Sequence, residues 1–233
     1  MVKLEILSIF VILLFSASCS FAGDSSDSCT CNSDGSLFDL PSLDMISTKV
    51  GNYEFPKGIE IPQNIKPPAD QEFKFYLVVS GYSWHRCVNK TWIFEESRAL
   101  LFNHEEDISC YPRSPSASTF KNTAVPDGTV SLGIKSIISD YDTSQLITTG
   151  IAAIPKSDVN DIPYGLEKTS NNTGKGAFED VTYIVRPKTK GGNNPTVPCG
   201  NGQFPEGYIH SRPFIVYNLF YHPKKGSSKV RRR

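Results

Sequence analysis

The sequence predicts an all-β fold: an antiparallel sandwich or barrel-like single domain, stapled by a disulfide and preceded by an extended N-terminal strap. Three observations carry this. Runs rich in aromatic and β-branched residues recur between turn residues. Amphipathic helical stripes are scarce. The cysteines sit in a chain whose opening residues have the form of an export signal. The 233 residues balance 24 basic against 24 acidic side chains and are 39% apolar. That excludes a collagen, a coiled coil or a disordered polyelectrolyte, and it leaves one ordinary core.

Residues 1–22 read as a secretory signal. Lys3 precedes an apolar run from Ile6 to Phe15, half the ~20 residues a membrane-spanning helix needs, and small residues ending Ser20-Phe21-Ala22 follow. No later stretch reaches transmembrane length, so the expected location is secreted, extracellular or cell wall. Residues 23–72 combine a Ser/Asp-rich leader with a strap in which Pro56, Pro62, Pro67 and Pro68 forbid regular helix. The β domain spans 73–222. Its candidate strands are Phe73 to Ser80, Val130 to Ile138, Gln145 to Ile154, Val181 to Arg186 and Phe214 to Tyr221, with Asp127-Gly128 and Gly150 as turn residues. The last strand is apolar on both alternating faces, so both should be covered. Trp92 to Asn103 carries the one possible helical stripe.

Removing the signal takes Cys19 and leaves Cys29, Cys31, Cys87, Cys110 and Cys199. In an oxidising compartment these are disulfide candidates, one of them left over. Spacing does not fix the connectivity. A Cys87–Cys199 bridge would be worth about 4 to 5 kcal/mol if unstrained, and one of Cys29 or Cys31 is expected to reach Cys110. A zinc site is disfavoured, since no second close Cys pair and no spaced His pair is present. Asn89-Lys90-Thr91 and Asn171-Asn172-Thr173 are glycosylation sequons, with Asn171 expected in a polar loop.

Chemistry-bearing candidates are few. His85 lies two residues from Cys87, so both face one side of a strand; the pair reads as a nucleophile dyad or, in preference, as a disulfide beside a histidine. His104-Glu105-Glu106-Asp107 is an acidic patch that reads as acid–base machinery or as a solvated turn. Trp84, Trp92, Tyr82 and Tyr164 are core residues or the aromatic lining of a sugar or small-ligand site. No nucleophile elbow, phosphate loop or dinucleotide fingerprint occurs, so no cofactor and no metal is expected. Residues 223–233 carry Lys224, Lys225, Lys229, Arg231, Arg232 and Arg233, a solubilising end or a tether to wall polysaccharide or another polyanion. These basic residues have no interleaved aromatics, which argues against nucleic acid.

The blocks Gly81-Tyr-Ser-Trp-His-Arg-Cys87, Pro126-Asp-Gly-Thr129, Ile162-Pro-Tyr164, Val181-Thr-Tyr-Ile-Val-Arg186 and Thr189-Lys-Gly-Gly192, with Pro195 and Cys199, occur in order. Together they resemble a secreted domain-of-unknown-function family, number thirty-four fifty-five in words, often labelled malate dehydrogenase-like. The likeness covers about Phe75 to Tyr221. Ser83, His85 and Tyr164 stand where that family has Gln, Tyr and Trp. The resemblance implies a secreted β domain in which Cys87 pairs with Cys199. The dehydrogenase label does not fit, because no βαβ pattern or nucleotide loop is present. A fainter likeness, attached to no single motif, is to the spherulins, encystment proteins of slime moulds. The functional expectation is a non-enzymatic secreted glycoprotein of the cell surface, wall or resting stage, a spore or cyst. An extracellular carbohydrate- or small-ligand-binding module is the alternative, and a secreted hydrolase using His85 or His104 to Asp107 comes third.

Overall fold

The computed structural model describes residues 49–109, 114–121, 132–138 and 142–226. The signal, the leader to residue 48, Cys29, Cys31, Cys110, the Asp127-Gly128 turn and the cations from Lys229 onward lie outside these residues.

Eight antiparallel strands form one closed barrel: β1 (Gln71–Val88), β2 (Thr91–Phe102), β3 (Ala117–Lys121), β4 (Leu132–Ser136), β5 (Gln145–Ile154), β6 (Tyr164–Thr173), β7 (Tyr183–Gly191) and β8 (Ile209–Pro223). Each strand pairs with its sequence neighbours. β8 returns to β1 along a seam running from Gln71 opposite Pro223 to Arg86 opposite Ile209. Of the two expected architectures the barrel is the one adopted, each strand having a partner on both sides over part of its length.

β1 and β2 are joined through Asn89 and Lys90, at φ 51° and 62°. Two successive left-handed residues make the tight hairpin turn whose twist matches the flanking strands, and Asn tolerates that region well. This hairpin overturns the helix expected over Trp92 to Asn103, which is β2. The misleading spacing comes from a bulge: Trp84 pairs with Glu96 and His85 with Phe94, so Glu95 is skipped. Inward positions therefore run Trp92, Phe94, Ser97, Ala99, Leu101, and the extra residue breaks the period of two. The polar loop expected around Asn171 is likewise part of β6, where Asn171 pairs with Ile147 and stays exposed.

Inside the barrel, Phe75, Leu77 and Val79 of β1 meet Leu101, Ile134, Leu146, Ile184, Val216 and Phe220, all buried. Phe75 stacks on Phe220 with centroids 4.7 Å apart. Phe178 packs against both rings from the segment before β7. A second apolar cluster lies on the outer face, where Leu166, Val185, Leu219 and Tyr221 are covered by Ile59, Ile61 and Ile65 of the proline-spaced strap. That explains why β8 is apolar on both faces. Over its described residues the strap is extended between turns at 56–59 and 68–71 and the 3-10 turn Gln63–Ile65.

The bridge between Cys87 and Cys199 spans 112 residues and ties β1 to the 192–208 loop. Trp92 and Phe204 pack on it, and the Trp92 indole N–H donates to the Val197 carbonyl at 2.7 Å. Beyond the strands, Lys224 donates to the carbonyls of Asp70 and Ala69.

Candidate functional site

Past Val79 the barrel interior changes character. The inward positions become Ser83 and His85 on β1, Ser97 on β2, Thr148 on β5, Glu167 on β6 and Arg186 on β7. Around them lies a cavity of ≈ 370 Å³, completed by Phe94, Ile162, Gly150 and the 192–194 turn. Bulges at Gly150/Ala152 in β5 and between Val185 and Lys188 in β7 bend those strands at the cavity wall.

The hydrogen bonds fix protonation. The Ser83 hydroxyl donates to the Gly192 carbonyl at 2.6 Å, so its oxygen accepts from His85 Nε2, 3.0 Å away. His85 is therefore protonated on Nε2, which leaves Nδ1 as a bare acceptor. That atom is buried and has no partner. Burial holds His85 below the ordinary imidazole range. The Gly192 carbonyl and the Asn194 side chain work against the shift, and the charges of Arg212 and His210 reinforce it. The ring is neutral at physiological pH and sits edge-on to Phe94, centroids 5.7 Å apart. Only glycine allows the turn to deliver its carbonyl here. Gly192 has φ 80°, and a Cβ would stand 2.7 Å from both Ile162 and Phe214.

Across the cavity Arg186 Nη1 donates to Glu167 Oε1 at 2.7 Å, and the Thr148 hydroxyl donates to Oε2 at 2.7 Å. Arg186 Nε reaches the Pro163 carbonyl at 3.3 Å. The guanidinium lies against Gly165, where a Cβ would come within 2.8 Å of Nη2. The segment supplying Pro163 is pinned to β7. Thr189 donates to the Ile162 carbonyl and Asp161 accepts from the Gly191 N–H, both at 2.6 Å, and Lys156 bridges Asp161 to the Thr189 carbonyl.

Of the candidate catalytic and binding residues the sequence offers, His85 alone lines this cavity. Trp84 faces outward with Arg98 over its ring, and its buried indole nitrogen lacks a partner. Trp92 belongs to the disulfide cluster. Tyr164 lies under the strap facing Lys156. Tyr82 is exposed and borders a shallow outer cleft with Arg98, Leu100 and Lys190. His104 and Glu105 lie apart, His104 against Asn52 and Glu105 accepting from the Tyr217 hydroxyl beside Lys188. The aromatics thus do not converge on one pocket: β1 alternates, so Tyr82 and Trp84 face away from the lumen that His85 enters. Among the described residues no group of three His, Cys, Asp or Glu is placed to hold a metal ion, and no helix is long and apolar enough to cross a membrane.

Sequence reasoning missed Ser97, Thr148, Glu167, Arg186 and Asn194. A signal existed for two of them. Arg186 shares alternation with buried Ile184, and Thr148 with buried Leu146, so a polar group stood on the core face of each expected strand. No protein-family model, no curated protein and no solved structure matches this chain.

Proposed function

We propose that this chain is an exported binding module that holds a small molecule in the polar end of its barrel, and that it is not a hydrolase. One observation carries the reading: polar side chains with unused hydrogen-bonding capacity line a cavity in the lumen. Arg186 has its Nη1 and Nε engaged by Glu167 and the Pro163 carbonyl, which leaves Nη2 to donate elsewhere, and Ser97 and Asn194 line the same cavity. A ligand or bridging water is the natural complement of such groups.

The same network argues against catalysis. Ser83 spends its proton on a carbonyl and is fully buried. Glu167 is already engaged, one oxygen by Arg186 and the other by Thr148. An extracellular setting is supported by the disulfide and by the exposure of Asn89 and Asn171.

The test is titration of the full-length chain with the uncharged fluorophore N-phenyl-1-naphthylamine, beside a Gly150→Phe variant. A Cβ at Gly150 meets nothing within 4 Å, so the ring enters the cavity mouth without a backbone clash. Saturable enhancement in the native chain, lost in the variant at unchanged stability, is expected. Undiminished binding in Gly150→Phe would refute the proposal, and so would hydrolytic turnover abolished by His85→Phe.

A further inference from the structure

Taking the lumen as a ligand site, we infer that it selects a small uncharged hydroxylated ring compound over the corresponding acid. The titratable groups at the cavity are Glu167, Arg186 and His85. The first two compensate each other in an ion pair whose side chains are 13% and 21% exposed. His85 carries no charge, and the nearby Arg212 and His210 oppose its acquiring one. The site as a whole is electrically neutral.

A carboxylate entering it would have to compete with Glu167 for the guanidinium. Success would leave two carboxylates sharing one guanidinium in a half-buried site, an excess negative charge that an uncharged guest does not bring. A cation would meet the mirror-image problem at Arg186. An uncharged hydroxyl avoids both. It packs beside the neutral His85 ring, while a hydroxyl or carbonyl oxygen on the ligand accepts from Arg186 Nη2. The Ser97 hydroxyl, which has no partner among the described residues, serves in either sense. Phe94 and Ile162 supply apolar surface for the face of a ring. A volume of ≈ 370 Å³ lies at the small end of ligand pockets, which limits the guest to a molecule of about three rings or fewer.

Free sugars and simple phenols share this chemistry, so the test carries an arm for each. N-phenyl-1-naphthylamine bound to the full chain is displaced at pH 7 by methyl glucoside against glucuronate, and by methyl 4-hydroxybenzoate against 4-hydroxybenzoate. In at least one pair the neutral member should compete at a concentration lower by about tenfold or more, and the arm that responds identifies the class. Glu167→Gln leaves the guanidinium uncompensated and should invert the preference within that pair. Equal competition by acid and neutral partner, or competition by neither pair, overturns the inference while leaving a lumen site intact. Failure of the fluorophore to bind the native chain removes the site and the inference together. The native-chain comparison stands even if Glu167→Gln does not fold.

Discussion

Replacing both Cys87 and Cys199 by alanine should lower stability by about 3 to 5 kcal/mol while preserving the barrel. In the chain-entropy account, cross-linking across 112 residues restrains the unfolded state by about 4.8 kcal/mol at 25 °C. Loss of the buried sulfurs beside Trp92 adds to the deficit. The native fold should survive, because other contacts also hold the loop. Gly207 N–H donates to the Cys87 carbonyl and Cys87 N–H to that of Tyr208, while Trp92 reaches Val197. The assay is urea unfolding followed by tryptophan fluorescence, with both proteins kept oxidised so that Cys29, Cys31 and Cys110 are treated alike. The midpoint should fall, and the denaturant slope should rise because the released chain exposes more surface. Melting should drop by roughly 10 to 20 °C. A loss below about 1 kcal/mol at unchanged slope would show that the bridge does not restrain the unfolded ensemble, and would refute the reasoning.

Two further substitutions separate site from scaffold. Gly165→Ala places a methyl 2.8 Å from Arg186 Nη2. The guanidinium can swing away, so stability should fall by only about 1 kcal/mol, whereas fluorophore affinity should drop roughly tenfold; unchanged affinity would remove Arg186 from the site. Tyr221 is buried under the strap, and burial pushes its phenol up to about 12. Its folded value exceeds the unfolded value of about 10, so the stability it contributes is complete below pH 10 and is lost as pH rises through 12. Tyr221→Phe should match the native chain in urea at pH 7 and surpass it at pH 11; equal midpoints at pH 11 would contradict the burial argument.

Periodicity made most of the barrel legible in the sequence, and it failed where periodicity itself fails. β5 was bounded correctly at Gln145 and Ile154 because Leu146 and Thr148 alternate cleanly against solvent-facing neighbours. β8 was readable as buried on both faces, yet what covers its outside, Ile59, Ile61 and Ile65, looked only like a proline-rich strap. β2 was misread because one bulged residue, Glu95, converts a strand pattern into a helical one. β6 was missed because its outer half, Lys168 to Thr173, is polar and joins the barrel through backbone pairing with β5. His85 was legible as a candidate from its residue type. The pairing of Glu167 with Arg186 was not, because it depends on a β6–β7 register that no local pattern encodes.

The seam between β1 and β8 has a consequence for synthesis. β1 is among the first parts of the domain to emerge and β8 among the last, and this is the longest of the barrel's pairings. Until β8 arrives, β1 lacks one of its two partners, Phe75 lacks Phe220, and the strap's isoleucines have no Leu219 or Tyr221 to cover. Contacts so distant in sequence form slowly and late. The barrel is thereby kept open until β8 has been made. A nascent chain stopped before Ile209 should remain accessible to protease, since the final strand closes the sheet and the outer cover in a single event.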